Sequence, residues 1–259
     1  MPRKKKEDDI PTPSNKIVNF YEHIPKDMLN KNENPNYHLH QITTPARICI
    51  VAPSGSGWLP PVLKWTGGIL GKTNFLINLL HLFSQGSKGT FFSVTIVTAN
   101  ADEPLYKWLS LQCTQIQIKE GLQNTPLLDK MDKSLNHLVI WDDCVLAKDL
   151  SMVEKYYMRA RKQNCSCIFT SQSYFKTPIF IRKNCNYMVI LRLSGNREIN
   201  LILSEFGLGL TKEQLLEMYK YATKEKFSAL VIDMEDMDKR FRKGFLEILD
   251  PDDVVFNKL

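Results

Sequence analysis

Short apolar runs alternate with segments of helical periodicity from residue 46 onward. Runs of this length that are rich in β-branched and aromatic residues predict strands, and the segments between them predict helices. Such alternation is typical of a mainly parallel sheet covered by helices, so the pattern predicts an α/β fold. The predicted strands are residues 47–52, 92–98, 115–119, 137–141, 165–170, 188–193 and 227–233.

Three segments carry the clearest helix signals. Residues 73–83 are densely apolar, as expected of a helix buried against a sheet. Thr211 followed by Gln214 predicts a capping box at the start of another helix. A third segment has apolar side chains at helical spacing, and its predicted buried stripe is Leu150, Val153, Tyr157 and Ala160.

These elements fit one α/β domain over residues 45–250. Residues 1–44 have few periodic apolar positions and predict a flexible basic and polar arm, and residues 251–259 form a short tail. The basic run from Arg3 to Lys6 is either a weak nuclear-import signal, a contact for DNA phosphates or an ordinary solvated terminus.

The composition narrows the class of protein. Of 259 residues, 43% are hydrophobic and 24% charged, which is ordinary globular usage. No apolar stretch approaches the roughly 20 residues of a membrane span, so we expect no membrane association. The six cysteines lack paired spacing and follow no cleavable signal, which predicts reduced thiols in an intracellular protein. A net charge of +6 permits a polyanionic partner without requiring one.

A divided phosphate-binding motif follows the first strand. The run Ala-Pro-Ser-Gly-Ser-Gly at residues 52–57 matches the first part of a P-loop, and Gly-Lys-Thr supplies the second part. Removing residues 58–71 joins them into a continuous motif. Glycines let backbone N–H groups curl around a phosphate, the lysine reaches the β- and γ-phosphates, and the threonine hydroxyl binds Mg²⁺. The predicted ATP-binding residues are Ser54, Gly55, Ser56, Gly57, Gly71, Lys72 and Thr73.

The 14-residue interruption is the unusual feature of this motif. Its loop-closure entropy costs only about 2 to 3 kcal/mol, so entropy does not forbid it. The objection is geometric, because the amides of Gly57 and Lys72 must be neighbours around the phosphate. We interpret the apolar insert as a retained intron or a gene-model error. Two alternatives remain: a P-loop formed by residues 66–73, or a Gly/Ser turn unrelated to the later Gly-Lys-Thr.

Two later strands end in polar side chains. The run at residues 138–141 delivers Asp142 and Asp143, as a Walker B strand does, where the first carboxylate binds Mg²⁺ and the second orients or deprotonates water. The alternative is a simple turn. Gln172 follows the strand at residues 165–170 and is a candidate sensor of the γ-phosphate, or else a strand cap.

Basic residues offer weaker signals. Arg161 and Arg182 flank that strand and are candidate catalytic arginines acting across a subunit interface, or dipole partners at helix ends. The basic cluster at residues 239–243 predicts either a DNA-facing patch or a solvated face. The histidines and cysteines show no ligand-like spacing, so Mg²⁺ is the only metal that we propose.

With these residues assembled, the chain resembles the genome-packaging ATPases of large double-stranded DNA viruses and of Maverick/Polinton virus-like transposons, the poxvirus-type branch of the FtsK/HerA P-loop superfamily. The matching stretches are Ala-Pro-Ser-Gly-Ser-Gly with Lys-Thr-Asn-Phe, Val-Ile-Trp-Asp-Asp, Phe-Thr-Ser-Gln-Ser-Tyr-Phe with Pro178, and Ile-Arg-Lys-Asn-Cys at residues 181–185. The resemblance spans about residues 46–243. Each motif alone is shared across P-loop proteins, but the order of the motifs, the Asp-Asp in place of Asp-Glu and the continuation Gln-Ser-Tyr-Phe-Lys-Thr-Pro are more particular.

This resemblance implies a P-loop NTPase fold of the additional-strand, RecA/FtsK-like type. It also implies an ATPase that assembles as a homo-oligomeric ring, threads double-stranded DNA into a capsid with ATP and Mg²⁺, and works with a capsid or portal protein. The nucleus, a virion or a viral factory is then its expected location. The interrupted P-loop favours a second hypothesis, a catalytically impaired or domesticated relic that binds DNA or serves assembly. A third is a P-loop enzyme acting on a small molecule, for which we find no lid or acceptor pocket.

Overall fold

A computed structural model describes residues 33–53, 71–207 and 209–252. In these residues the strands are β1 (Arg47–Val51), β2 (Ser93–Thr98), β3 (Ile116–Glu120), β4 (His137–Asp142), β5 (Cys165–Ser171), β6 (Tyr187–Ile190), β7 (Leu230–Asp233), β8 (Phe241–Lys243) and β9 (Glu247–Ile248). The helices are α1 (Tyr37–His40), α2 (Gly71–Phe83), α3 (Pro104–Gln112), α4 (Ser151–Arg159), α5 (Ile179–Asn184), α6 (Asn196–Phe206) and α7 (Lys212–Ala222).

All the described strands join one sheet, in the order β3-β2-β4-β5-β1-β6-β7-β8-β9. The six strands from β3 to β6 in this order are parallel, so their carboxyl ends meet at one edge. The last three strands are antiparallel. One strand, β5, separates β1 from β4. This order agrees with the additional-strand fold that the family resemblance implies.

Helices cover both faces of the sheet. In β1, Cys49 and Val51 pack into a core shared with α4, α5, α6 and α7, whereas Ile48 and Ile50 pack into a second core shared with α2 and α3. Alternate side chains of a strand point to opposite faces, so a central strand buried on both faces must be apolar throughout. This requirement explains the continuous Ile-Cys-Ile-Val run.

The seven predicted strands and the three predicted helical signals are confirmed. Helix α2 contains residues 73–83, the stripe on α4 is buried at Val153 and Tyr157, and both hydrogen bonds of the Thr211 capping box are present. The strand predicted at residues 227–233 begins later, at Leu230, because Phe227 adopts φ +65°, outside the extended region. Strands β8 and β9 were not predicted.

The predicted basic patch at residues 239–243 is wrong as an exposed surface. Phe241 and Arg242 are buried in β8, and the Arg242 guanidinium lies 3.4 Å from the carboxylate of Asp233. Because β8 pairs with β7 in the sheet, successive side chains of β8 point alternately to the core and to the surface. Consecutive basic residues in this strand therefore do not form one basic face.

The folded domain also begins earlier than the predicted boundary at residue 45. The side-chain amide of Asn36 donates to the carbonyl oxygens of Phe83 (3.0 Å) and Gln85 (2.8 Å), and His40 and Ile42 are buried. These contacts attach residues 36–44 to the end of α2. Residues 1–32 of the predicted arm, with Arg3 to Lys6, lie outside the described residues, as do residues 54–70 and most of the tail. Within the described parts, no helix is long and apolar enough to cross a membrane.

Candidate active site

Polar side chains converge at the carboxyl edge of the parallel strands, around β1, β5 and β4. This edge is where open α/β sheets bind ligands. Lys72 lies in the first turn of α2, and Asp142 ends β4. Gln172 directly follows β5. Residues that are far apart in the sequence therefore meet because parallel strands end together.

Lys72 is the cation at the centre of this group. Its ammonium Nζ lies 3.3 Å from Oδ1 of Asp142 and 3.3 Å from Oδ1 of Asp143. Only 3% of the lysine side chain is exposed. A buried ammonium is stable only when it is paired, and here it bridges two carboxylates. The single positive charge leaves the trio with a net negative charge.

The Asp142 carboxylate is held at both oxygens. Thr170 Oγ1, from β5, donates to Oδ1, and the hydroxyl of Tyr106, from α3, donates to Oδ2. Asp142, Tyr106 and Thr170 are all almost completely buried. Charge-assisted hydrogen bonds of this kind are about twice as strong as neutral ones, so the carboxylate has one fixed orientation.

Asp143 is more accessible and differently supported. Its side chain is 39% exposed, and the amide Nε2 of Gln172 lies 2.7 Å from each carboxylate oxygen. The backbone adopts φ +57°, a left-handed conformation that aspartate tolerates better than most residues, and its N–H donates to Thr170 Oγ1. The two adjacent aspartates therefore face different environments, one enclosed and one open to solvent.

Thr73 provides a test of whether the site fits Mg²⁺. Its Oγ1 is buried and has no hydrogen-bond partner among the described residues. A buried hydroxyl normally has a partner, so this oxygen is available to a ligand. Mg²⁺ takes oxygen ligands and is commonly bound through one or two carboxylates together with substrate phosphates. Thr73 and Asp142 supply oxygens of that kind, and the residues present fit the ion.

The negative charge of the site affects its neighbours. Burial and the charge on Asp142 raise the pKa of Glu103, which precedes α3. Burial, followed by the charges on Asp142 and Asp143, raises the pKa of the Cys144 thiol to about 12. Cys144 is therefore protonated at neutral pH and is not a nucleophile.

The other predicted site residues are placed as follows. Gly71 begins α2, and Ser54 to Gly57 lie outside the described residues. Arg161 is exposed just before β5, at the opposite edge of the sheet from Asp142. Arg182 is buried and binds Glu205 at 2.8 Å, with its guanidinium 4.4 Å from the Tyr174 ring centroid. This placement of Arg182 favours a structural role within the fold.

Sequence reasoning missed Tyr106 and Thr170. Thr170 stands two residues before Gln172, and the period of two in a strand indicates that both point to the same side. The two-residue spacing from Gln172 could therefore have identified Thr170. No sequence pattern identifies Tyr106, because a tyrosine near Leu105 and Leu109 in a helix has the pattern of an ordinary core residue.

Comparison with solved structures establishes the fold. The genome-packaging NTPase B204 from Sulfolobus turreted icosahedral virus 2, in complex with AMP, matches with a TM-score of 0.50 at 11% sequence identity. The match covers 74% of this chain and 94% of B204. The chain has the fold of a P-loop NTPase. This result confirms the predicted fold class.

Other comparisons are weaker or find nothing. The conjugation coupling protein TcpA of pCW3, with ATPγS, matches with a TM-score of 0.45 at 14% identity, over 74% of this chain and 58% of TcpA. No protein-family model matches the sequence, and no curated protein matches it.

Proposed function

We propose that the chain is an ATP-driven motor that hydrolyses Mg-ATP to translocate double-stranded DNA during genome packaging. One observation carries the proposal: Lys72, at the start of α2, meets Asp142, Asp143 and Gln172 at the carboxyl ends of β4 and β5. A lysine at a helix start next to paired strand-end carboxylates is the arrangement that phosphoryl transfer requires.

Nucleotide binding is assigned to the start of α2. In the proposed cycle Lys72 exchanges its contacts with Asp142 and Asp143 for the β- and γ-phosphates. Thr73 Oγ1 and Asp142 are the groups that would hold Mg²⁺, which when bound neutralises charge on the phosphates. Tyr106 and Thr170 keep the Asp142 carboxylate oriented for this task. The amides of residues 54–57 are proposed to complete the phosphate cradle.

Hydrolysis is assigned to the more open aspartate. Asp143 is accessible to water, and we propose that it orients the attacking water and accepts its proton. Gln172 donates to both oxygens of Asp143 and lies at the end of the adjacent strand. It can therefore exchange a contact with Asp143 for one with the γ-phosphate. In this role Gln172 reports whether that phosphate is present.

The DNA-motor part rests on fold likeness and sequence resemblance. B204, the structural neighbour with the same fold, is described as a genome-packaging NTPase. The sequence resemblance to packaging ATPases leads to the same substrate, double-stranded DNA, and to a homo-oligomeric ring that acts with a capsid or portal protein. Arg161, exposed at the opposite edge from Asp142, remains the candidate to act on a neighbouring subunit.

The second candidate function is a relic that binds DNA or serves assembly without turnover. The observation that favours it is the separation of Gly57 from Lys72 by residues 58–71. An interrupted cradle holds the phosphates poorly, because consecutive N–H groups must face one anion.

One experiment separates the two. ATP hydrolysis is measured with and without duplex DNA for the natural chain and for a variant lacking residues 58–71, each alongside its Lys72→Ala counterpart to exclude a contaminating ATPase. DNA-stimulated hydrolysis in either form, lost in Lys72→Ala, supports the motor. Activity in the shortened form alone identifies the insert as an artefact or an inactivating scar. No hydrolysis in either form rejects the motor in favour of the relic.

A further inference from the structure

A tight turn follows Gln172 and presents two side chains to solvent. In residues 173–178, Tyr174 and Thr177 are almost completely buried, whereas Phe175 is 48% exposed and Lys176 is exposed. A large exposed aromatic side chain next to a cation at the edge that carries the site is not explained by core packing. The turn needs a second explanation.

The turn is held rigidly by hydrogen bonds on both sides of its tip. The N–H of Thr177 and its hydroxyl both donate to the carbonyl oxygen of Ser173, at 3.2 and 2.9 Å. Two acidic side chains of α6 hold the turn from outside. Glu198 accepts from the Ser173 hydroxyl at 2.5 Å, and Glu205 accepts from the Tyr174 hydroxyl. The tip is therefore fixed relative to Gln172 and to α6.

Arg197, from the first turn of α6, extends the exposed cationic surface. Its guanidinium carbon lies 5.4 Å from the Phe175 ring centroid, within cation–π range. Arg197 and Lys176 are both exposed, and neither forms an ion pair with any residue that the structure describes. Lys176 and Arg197 therefore present two cations that have no ion pair within the described chain, and Arg197 also packs against an aromatic ring. Such a surface is suited to a polyanion.

We infer that Phe175, Lys176 and Arg197 form a contact surface for the phosphate backbone of duplex DNA. Lys176 and Arg197 bind phosphate oxygens. A paired duplex offers no free base face for stacking, so Phe175 serves to orient the Arg197 guanidinium. This inference rests on the proposed function for its choice of polyanion. The contact surface is also directly connected through the backbone to the proposed nucleotide site. The turn that carries Phe175 and Lys176 continues from Gln172, the residue proposed to detect the γ-phosphate.

The test is duplex binding by the full chain, measured by fluorescence anisotropy on a labelled 30-base-pair duplex across a series of salt concentrations. The variant is Lys176→Gln/Arg197→Gln. We expect its Kd to rise at least tenfold at about 0.1 M salt, and the slope of log K against log salt to fall by roughly 0.9 for each lost phosphate contact. Phe175→Leu should weaken binding less, because both cations remain.

The matched control is Lys133→Gln/Lys162→Gln, which removes the same charge from exposed lysines that precede β4 and β5 at the opposite edge. We expect its affinity and slope to stay close to those of the natural chain. If both double variants lost the same affinity for the duplex, net charge alone would explain the loss. That result would overturn the proposed contact surface. Unchanged duplex binding in Lys176→Gln/Arg197→Gln would also overturn it, and would assign these side chains to a protein partner.

Hydrolysis without DNA separates this surface from the proposed function. Among the described residues, Lys176 and Arg197 form no hydrogen bond or ion pair with a site residue. We therefore expect DNA-independent hydrolysis to be unchanged in the variant while DNA stimulation is lost. Failure of the motor would appear as absent hydrolysis in the natural and shortened chains. In that case the affinity for the duplex, measured without ATP, still tests whether Phe175, Lys176 and Arg197 contact DNA.

Discussion

Two buried ion pairs lie at opposite edges of the sheet and differ in the groups around them. Side-chain hydroxyls donate to Asp142, whereas the backbone N–H groups of Glu235 and Asp236 donate to Asp233. Lys72 and Asp142 are 3.3 Å apart at the carboxyl edge, and Arg242 and Asp233 are 3.4 Å apart beside the start of β6. Both pairs are at most 4% exposed. Around the first pair, Thr170 and Tyr106 occupy both oxygens of the aspartate. In the second pair, Nε and Nη2 of Arg242 have no partner among the described residues.

The difference separates a site from a structural pair. A buried ion pair is weak evidence for stability, because desolvation offsets much of its attraction. The Lys72 pair differs in having a second carboxylate beside it, that of the partly exposed Asp143. It also lies near the Thr73 hydroxyl, which has no hydrogen-bond partner among the described residues. In the proposed function these groups bind the nucleotide and its metal ion. The Arg242 pair is enclosed, and we expect its removal to affect folding and leave nucleotide chemistry unchanged.

The sharpest test of the region around Lys72 and Asp142, the first region, is the variant Asp143→Asn. In whichever form of the chain hydrolyses ATP, we expect kcat to fall by about 10³-fold, because general-base catalysis contributes about 10²–10⁴-fold. ATP affinity should be retained, since Lys72 and Thr73 are intact. Turnover and equilibrium binding of ATP are the measurements, with Lys72→Ala as the variant that loses binding. Near-normal turnover in Asp143→Asn would remove this residue from the mechanism.

For the region around Arg242 and Asp233, the second region, the decisive change is Arg242→Met. It leaves the Asp233 carboxylate buried without its cation, and we expect a loss of about 3 kcal/mol or more in the free energy of unfolding. Urea unfolding measures it. Arg242→Met/Asp233→Asn should recover part of the loss, because no charge is then left buried. A single variant as stable as the natural chain would show that this pair is not needed for folding.

His40 adds a pH dependence to the second region. Burial, followed by the charges of Arg242 and His38, lowers its pKa from 6.5 to about 4. The unfolded chain therefore binds more protons between these values, so stability is complete above pH 6.5 and is lost as pH falls toward 4. Between pH 7 and 5 we expect a loss of about 2 kcal/mol from this group.

Urea unfolding of the natural chain and of His40→Asn at pH 7 and 5 checks this dependence. Asparagine can accept the Ile42 N–H, as Nδ1 of His40 does, but does not titrate. Burial raises the pKa of Asp233, which acts with the opposite sign, so the difference between the two proteins isolates His40. Equal pH dependence in both proteins would assign the acid sensitivity to other groups.

The two regions also differ in how far the sequence predicted them. Asp142, Asp143 and Gln172 could be predicted to meet, because each follows an apolar run and parallel strands end at one edge. Lys72 follows from its place at a helix start. These are consequences of local pattern and of one topological rule.

The Arg242 pair depends on information that the local pattern lacks. Pairing of β8 with β7 brings residues nine positions apart into contact, and the basic run at residues 239–243 suggested a surface. His40 was placed in the arm because its segment has no periodicity, and its burial results from contacts with α2 that lie more than 40 residues away in the chain. Tyr106 belongs to the same class, since only the tertiary structure brings its hydroxyl to Asp142.

The smallest expected effect tests whether Tyr106 supports the first region or merely fills space. Tyr106→Phe keeps the buried ring and removes only the hydroxyl that donates to Asp142 Oδ2. A hydrogen bond to a charged group contributes about 1.5 to 3 kcal/mol, so we expect kcat to fall by roughly tenfold. Because Asp142 is the proposed metal ligand, the Mg²⁺ concentration for half-maximal turnover should rise as well.

The matched control is Tyr156→Phe, which removes a hydroxyl that donates to the carbonyl oxygen of Pro126 at 2.7 Å. We expect it to lower the free energy of unfolding by about 1 kcal/mol without changing the Mg²⁺ dependence. A rise in the Mg²⁺ requirement in Tyr106→Phe alone assigns the tyrosine to positioning Asp142. The same Mg²⁺ dependence in both variants would reduce Tyr106 to a core residue and would leave Thr170 as the group that orients the carboxylate.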